Sequence, residues 1–354
     1  MTGISVIIAA FNAAGRLGPT LEHLAAQQVP EGIAWELIVV DNNSTDDTSA
    51  CARATWERVS SVPLRVAREL EPGVAAARAC GVAMARYDLV GFIDDDNWVD
   101  PHWVATAVNV MTAHPEAGAC GGCNTAHYET EPPSWLPPVA ANLAIGPQGT
   151  EAGDITDSRG LLWGAGLVVR RQAWLDSGSC GVEPALAGRI GTSLMAGEDS
   201  ELCLRLRVAG WRLWYDPRLR LTHAIGRSRL TWSYIKRLYR GAGAGTPLLD
   251  AYYVAMRHTG AWTLTDRLRW SWPWQALRAA QSVLAMRLQT LGSPEGAPAR
   301  LAYESMHGRL LSLLRLRGLY SRRIREGVAA VRARGTARSG RLDHVATRDV
   351  SHAR

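Results

Sequence analysis

No uninterrupted apolar stretch in this 354-residue chain reaches the ~18–20 residues that a helix needs to cross a membrane. No basic segment precedes the first apolar run, which begins just after Met1-Thr-Gly. A signal peptide is therefore not read, and a cytoplasmic protein is expected. No Gly-x-Gly-x-x-Gly follows that run, so a dinucleotide fold has little support. No Gly-x-x-x-x-Gly-Lys-Ser/Thr occurs anywhere, which excludes a P-loop. The six cysteines are scattered at 51, 80, 120, 123, 180 and 203. Cys120-Gly-Gly-Cys123 has no second pair at zinc spacing, so small buried thiols in a reducing compartment fit better than a metal or redox site. Internal repeats are absent, and so is any nucleic-acid-binding motif beyond charge. A nucleic-acid partner is not expected.

What is present is uneven. The net charge is +6, but residues 301–354 hold twelve arginines against four acids. That tail alone is +8, which leaves the rest at −2. The basic character belongs to the tail, and a basic tail can meet anionic lipid, nucleic acid or water. The 47% hydrophobic content is ordinary for a globular chain.

Short apolar runs alternate with helical patterns along the first 116 residues. Ile4 to Ala10, Trp35 to Val40, the weaker Leu64 to Ala67, and Leu89 to Asp94 read as buried strands. Arg16 to Gln28, Val74 to Arg86, and Pro101 to His114 read as helices. Ser44 or Thr45 is the expected N-cap of another helix. Strands separated by helices argue for a mostly parallel, Rossmann-like α/β sheet flanked by helices.

From Ala117 the pattern changes. Ala117 to Asn124 is read as a strand and 130–138 as a Pro-rich loop holding Trp135. Leu161 to Val169 is an apolar run, and Gly164 and Gly166 in it allow close backbone or ligand approach. A helix leads through Trp174, and 178–197 is a loop. Glu198 and Asp199 then open a helix. Trp211 to Tyr215 and Leu219 to Ala224, which contains His223, read as two strands parted by a turn at Asp216-Pro217. Helices are expected over 231–240, 252–274, 275–291 and 299–334, with a disordered end from 335. Three units follow: 1–116, 117–226, and an Arg- and Trp-rich C-terminal helical extension, 227–354.

Acidic or polar residues close the first, second and fourth strands: Asn12, Asp41, and Asp94-Asp-Asp96. In an open α/β sheet, ligands bind beyond the carboxyl ends of the strands. Three adjacent carboxylates repel unless something positive sits there. Hard oxygen ligands suit Mg²⁺ or Mn²⁺ shared with substrate phosphates. The plain alternative is a solvated acidic turn.

Four segments together resemble the family 2 glycosyltransferases with the GT-A fold. They are Ile4 to Asn12; Ile38-Val-Val-Asp-Asn-Asn-Ser-Thr-Asp-Asp-Thr48; Phe92-Ile-Asp-Asp-Asp96; and Gly197-Glu-Asp-Ser-Glu-Leu-Cys-Leu-Arg205. Trp163-Gly-Ala-Gly-Leu-Val-Val-Arg-Arg171 looks like the family's acceptor-side strand. The resemblance covers roughly 3–225. It implies a nucleotide-sugar site at Ala10, Asn12, Asp41, Arg78, Asp94 and Asp95. Asp41 would hold the base and Asp96 the divalent metal, Mn²⁺ or Mg²⁺. Asp94 and His223 are further metal candidates. Asp199 matches the base of the inverting enzymes, with Glu198 beside it. Ala79 stands where the family usually has Asn after the arginine matched by Arg78. Trp135, Trp163 and Gly164 are the acceptor-side candidates, although core packing is the commoner fate of tryptophan.

The implied reaction moves a sugar from a UDP-, GDP- or dTDP-sugar to the hydroxyl of a sugar or lipid-linked acceptor, with inversion. Bacterial cell-surface polysaccharide or glycolipid assembly is the implied setting. A metal stabilises the diphosphate leaving group, and a carboxylate takes the hydroxyl proton. Peripheral contact with the inner face of the membrane through the C-terminal helices is a further expectation. Two other functions compete. A sugar-nucleotide nucleotidyltransferase would carry a Gly-rich, basic loop after the first strand, where this chain offers only Arg16. A non-catalytic basic membrane-surface protein would keep binding without its acids.

Overall fold

The computed structural model describes residues 2–188, 194–257 and 262–331. The chain runs β1 (Thr2–Ala10), α1 (Leu17–Ala25), β2 (Ile33–Asp41), α2 (Thr48–Val59), β3 (Leu64–Arg68), α3 (Val74–Met84), β4 (Leu89–Asp94), β5 (Asn97–Val99) and α4 (Trp103–Ala113). It continues through β6 (Ala117–Tyr128), β7 (Gly153–Asp154), β8 (Leu167–Arg170), α5 (Arg171–Gly178), α6 (Glu198–Val208) and β9 (Arg212–Ile225). The extension is α7 (Trp232–Arg257), α8 (Leu264–Arg269), α9 (Trp272–Gln289), α10 (Pro298–Arg315) and α11 (317–331).

One sheet has the order β3-β2-β1-β4-β8-β6-β9-β5, with β7 on β9. The first four strands are parallel, β8 is antiparallel between β4 and β6, and β6 and β9 are again parallel. The period of two along β1 sorts its side chains between two cores. Ile4, Val6 and Ile8 face α1, α2 and α4, whereas Ile7 joins Phe92 under α3, α5 and α6. Residues buried on both faces give the continuous apolar runs seen in the sequence.

Several boundaries differ from the sequence reading. Ser44 and Thr45 do not cap α2, which starts at Thr48 after Asp47. β9 is one strand through Asp216-Pro217, not two. Its register against β6 shifts between Gly121 and Cys123, so the proline falls in an irregularity where its missing N–H costs no ladder bond. Leu161 to Gly166 is loop, and only Leu167–Arg170 pairs. α7 runs straight through Pro247. The carbonyl that Pro247 cannot serve is that of Gly243, and the Thr246 hydroxyl donates to it at 2.8 Å. The expected end from 335 lies outside the described residues.

The extension packs on α6 through Leu204, Val208, Leu248, Tyr252 and Ala330. Glu201, on the first turn of α6, lies inside that interface. It accepts from Arg323 at 2.9 Å, from the Tyr252 hydroxyl at 2.9 Å, and from the Ala185 and Leu186 amides. Both ionic side chains are nearly dry, at 2% and 3% exposure. Removing one partner strands a buried charge, so Arg323→Ala is expected to cost about 3–5 kcal/mol in urea unfolding. Arg322→Ala, at a side chain 66% exposed, should cost under ~1 kcal/mol. Equal losses would remove Glu201 as the anchor of the extension.

Candidate active site

The parallel register brings the predicted residues to one edge. Ala10 pairs with Asp41, and Ala9 pairs with Asp94. The chain then turns through Asp95 and Asp96 into β5, whose Asn97 lies opposite His223 of β9. Three strands and one turn therefore set the carboxylates, the histidine and the exit of β1 side by side.

The three aspartates have three different partners. Asp95 turns inward and meets Arg16 in a two-pronged contact, Nε to Oδ1 at 2.8 Å and a second nitrogen to Oδ2 at 2.7 Å. Arg16 also donates to the carbonyls of Asn12 and Phe11 at 2.7 and 2.9 Å. It thereby clamps the loop leaving β1 to the acidic turn. Burial pushes the Asp95 carboxyl up to about 6 against the pull of Arg16, with the charges of Asp96 and Asp94 adding to the rise.

Asp96 has the opposite fate. Burial opposes its charge, but the charges of Arg229 and Arg16 hold it below the usual carboxylate range. Its Oδ2 lies 2.9 Å from an Arg229 nitrogen, and its Oδ1 lies 3.4 Å from His223 Nε2. His223 Nδ1 is 2.8 Å from the Leu143 carbonyl, which can only accept. The ring proton is thus assigned to Nδ1, and the Nε2 lone pair faces Arg229 at 3.0 Å. One cationic nitrogen therefore sits between a carboxylate oxygen and an imidazole lone pair.

That donor set fits a divalent cation in place of the guanidinium nitrogen. Carboxylate and imidazole together suit Mn²⁺, and Mg²⁺ would lean more on oxygen. Among the described residues no cluster of three metal-ligating side chains exists. A metal here would need further oxygens, as phosphates supply. The expected third ligand, Asp94, is directed elsewhere: its Oδ1 is 3.3 Å from Arg78.

Arg78 links the acids to the catalytic candidate. Its guanidinium is buried, 5.1 Å above the Phe92 ring centroid. It passes against Gly164, where a Cβ would come within 2.6 Å of it. The Gly164 amide in turn donates to Asp199 Oδ2 at 3.0 Å, and the Ser200 amide donates to Oδ1 at 2.6 Å. Asp199 stands on the first turn of α6 and is aimed from two sides. Glu198 beside it reaches back to the Gly197 amide at 3.2 Å.

Asp41 is bound into its own turn. Its oxygens accept from the Ser44 amide at 2.8 Å and the Ser49 hydroxyl at 2.6 Å. Burial works against its charge, and the serine hydrogen bonds with the Arg68 charge keep it below its ordinary value. Asn12, at φ 46°, holds the neighbouring loop by accepting from the Thr45 amide at 2.8 Å. The Ala10 carbonyl accepts from Asn42 at 2.8 Å.

The tryptophans divide. Trp163 is half-buried beside Gly164, with Arg159 4.7 Å above its ring. Trp135 is edge-on to Trp232 in an apolar cluster with Leu143 and Leu230. Trp174 leans on Phe92 in the core. Sequence reasoning missed Arg229, Arg16 as a clamp, and Gln148. Gln148 is buried and bridges the Trp163 amide to the Gly122 carbonyl. No local pattern marks these three; only the fold brings them to the site.

Known proteins resemble this chain in sequence and in fold. Residues 5–173 match the family model described as Glycosyl transferase family 2. A glucosyl-dolichyl phosphate glucuronosyltransferase of Haloferax volcanii is 23% identical over 172 residues, 48% of this chain and 54% of that protein. A dodecaprenyl-phosphate galacturonate synthase of Rhizobium johnstonii is 33% identical over 108 residues, 30% of this chain and 32% of that protein. The chain thus spans about half and about a third of these relatives. The succinoglycan biosynthesis protein ExoM of Rhizobium meliloti is 24% identical over 241 residues, 66% of this chain and 72% of that protein. In fold, the chain resembles the mannosyltransferase PcManGT of Pyrobaculum calidifontis, solved with GDP-Man and Mn²⁺. The TM-score is 0.54 at 16% identity, covering 89% of this chain and 86% of that one. Over residues 5–173, just under half of its length, this chain matches glycosyl transferase family 2.

Proposed function

We propose that the chain transfers a sugar from a UDP-, GDP- or dTDP-sugar to the hydroxyl of a sugar or lipid-linked acceptor, with inversion. One observation carries the reading. Asp96 and His223 converge on a single cationic nitrogen at the strand ends, and Arg78 and Gly164 connect that acidic turn to Asp199. Asp96 and His223 would hold Mn²⁺ or Mg²⁺. Bound there, the metal supplies Lewis-acid stabilisation of the diphosphate leaving group.

The protein's own groups do the rest. The loops at Asn12 and Asp41 receive the nucleotide, where the Asp41 carboxylate can exchange its turn contacts for the base. Arg229, released from Asp96 and His223, carries its charge to the phosphates. Asp199 takes the acceptor hydroxyl proton, held in aim by the Gly164 and Ser200 amides. Trp163 lies on the acceptor side of Gly164. Cell-surface polysaccharide or glycolipid assembly on the inner side of a membrane is the setting that fits the relatives.

The test is a panel of sugar nucleotides with Mn²⁺ or Mg²⁺, reading release of nucleoside diphosphate and the anomeric configuration of the product by NMR. One donor should be consumed, excess chelator should stop the reaction, and an α-linked donor should give a β-linked product. Retention of configuration would refute Asp199 as the single base. Turnover indifferent to chelator would refute the metal.

A further inference from the structure

The extension carries an apolar face that the described chain leaves open. On α9, Trp274, Leu277, Leu284 and Leu288 recur at steps of three, seven and four residues, and Leu291 continues the line. Such spacing puts them on one side of the helix. Leu284 and Leu288 are 64% and 67% exposed, and Leu264 on α8 is 82% exposed. Of the eleven large apolar side chains exposed among the described residues, seven lie between 264 and 291. The exposure is therefore local to this face.

The same stretch is largely basic. Residues 264–294 contain Arg267, Arg269, Arg278 and Arg287 and one acid, Asp266, which accepts from the Thr263 amide and hydroxyl at the start of α8. All four arginines are exposed. This adds to the basic surface expected after residue 300, where Arg315, Arg317, Arg322 and Arg325 are also exposed. There, Arg309 is paired with Asp250 at 2.6 Å and Arg323 with Glu201, inside the helical packing. One step around α9 from the apolar line, Gln275, Arg278 and Ser282 border an open cleft of about 350 Å³, lined also by Arg269, Trp270 and the Arg309–Asp250 pair. The guanidinium groups of Arg269 and Arg278 in that lining suit a phosphate.

We infer that the α8–α9 face docks on an anionic lipid bilayer. Trp274 and the leucines enter the boundary between headgroups and acyl chains, the arginines meet lipid phosphates, and the cleft takes one headgroup. Charge selects this occupant. An apolar line bordered by four exposed arginines against one acid is complementary to a negatively charged membrane, whereas a second copy of the same face would bring arginines against arginines. This docking deepens the proposed lipid-linked setting. Vesicle binding is read without turnover, so its failure leaves the transfer reaction untouched.

The experiment is co-sedimentation of the full chain with vesicles of phosphatidylglycerol and phosphatidylcholine, and with phosphatidylcholine alone. The chain should partition to the anionic vesicles at least ~10-fold more strongly, and less so at high salt. Leu284→Glu with Leu288→Glu should abolish binding, and Arg278→Glu should weaken it several-fold. These sites are exposed, and circular dichroism checks that the variants stay folded. Wild-type protein left in the supernatant with both vesicles would overturn the inference. So would glutamate variants that bind as well as wild type. A lipid-free dimer that the glutamates break, with vesicle binding unchanged, would assign the face to a second copy instead.

Discussion

Replacing Asp96 with alanine is expected to lower donor turnover by about 10³-fold or more, equivalent to roughly 4 kcal/mol of lost transition-state stabilisation. The carboxylate is the one acid of the turn that shares a cation with His223. Without it, the imidazole alone cannot hold a metal against water. Asp96→Asn separates chemistry from folding, because it keeps the volume beside Arg229 while weakening the metal ligand. It should be nearly as inactive as Asp96→Ala and more stable. Asp95→Asn is the informative contrast. Asp95 faces Arg16, not the cation site, so its loss should loosen the β1 loop and raise the donor KM more than it lowers kcat. Equal turnover losses at 95 and 96 would mean that the two acids are not divided as their partners indicate.

The second large effect is at Asp199. Asp199→Asn removes the proton acceptor but leaves an oxygen for one of the two amides that aim the side chain. A general base is worth about 10²–10⁴-fold, and kcat should fall by that much. Donor affinity should stay within about threefold, because the nucleotide side of the site is built from β1, β2 and β4 and does not include α6. Calorimetric binding of the donor together with initial rates separates the two quantities. A variant that loses donor binding and turnover in proportion would make Asp199 a structural group at the head of α6.

The proposed donor side was legible because its signals are local. A buried parallel strand announces itself as a β-branched run, and Asp41 and Asp94 to Asp96 stand where such runs stop. Parallel pairing then sets them together without further information. His223 was legible only through resemblance. Its placement depends on β9 passing unbroken through Asp216-Pro217, and a proline after an acid reads as a turn. The irregular register against β6 that accommodates it is a property of two strands. Arg229 had no local mark among so many arginines. The role proposed for it follows from burial beside Asp96, which is a tertiary fact. Similarly, Pro247 reads as a helix stop unless Thr246 is known to serve the Gly243 carbonyl. The basic C-terminus shows the same limit. Counting arginines pointed to the last fifty residues; packing ties Arg309 and Arg323 down, leaves Arg315, Arg317, Arg322 and Arg325 exposed, and adds exposed charge on α8 and α9 that the count did not single out.

Equilibrium binding of UDP, GDP and dTDP to the wild-type chain, with Mn²⁺ and with excess chelator, tests the donor site most directly. One nucleotide should bind tightly with Mn²⁺, at least ~10-fold more weakly without it, and the metal-dependent part should vanish in Asp96→Ala. Failure of all three to bind, or binding unchanged by both chelator and Asp96→Ala, would contradict a metal–diphosphate site at the end of β4.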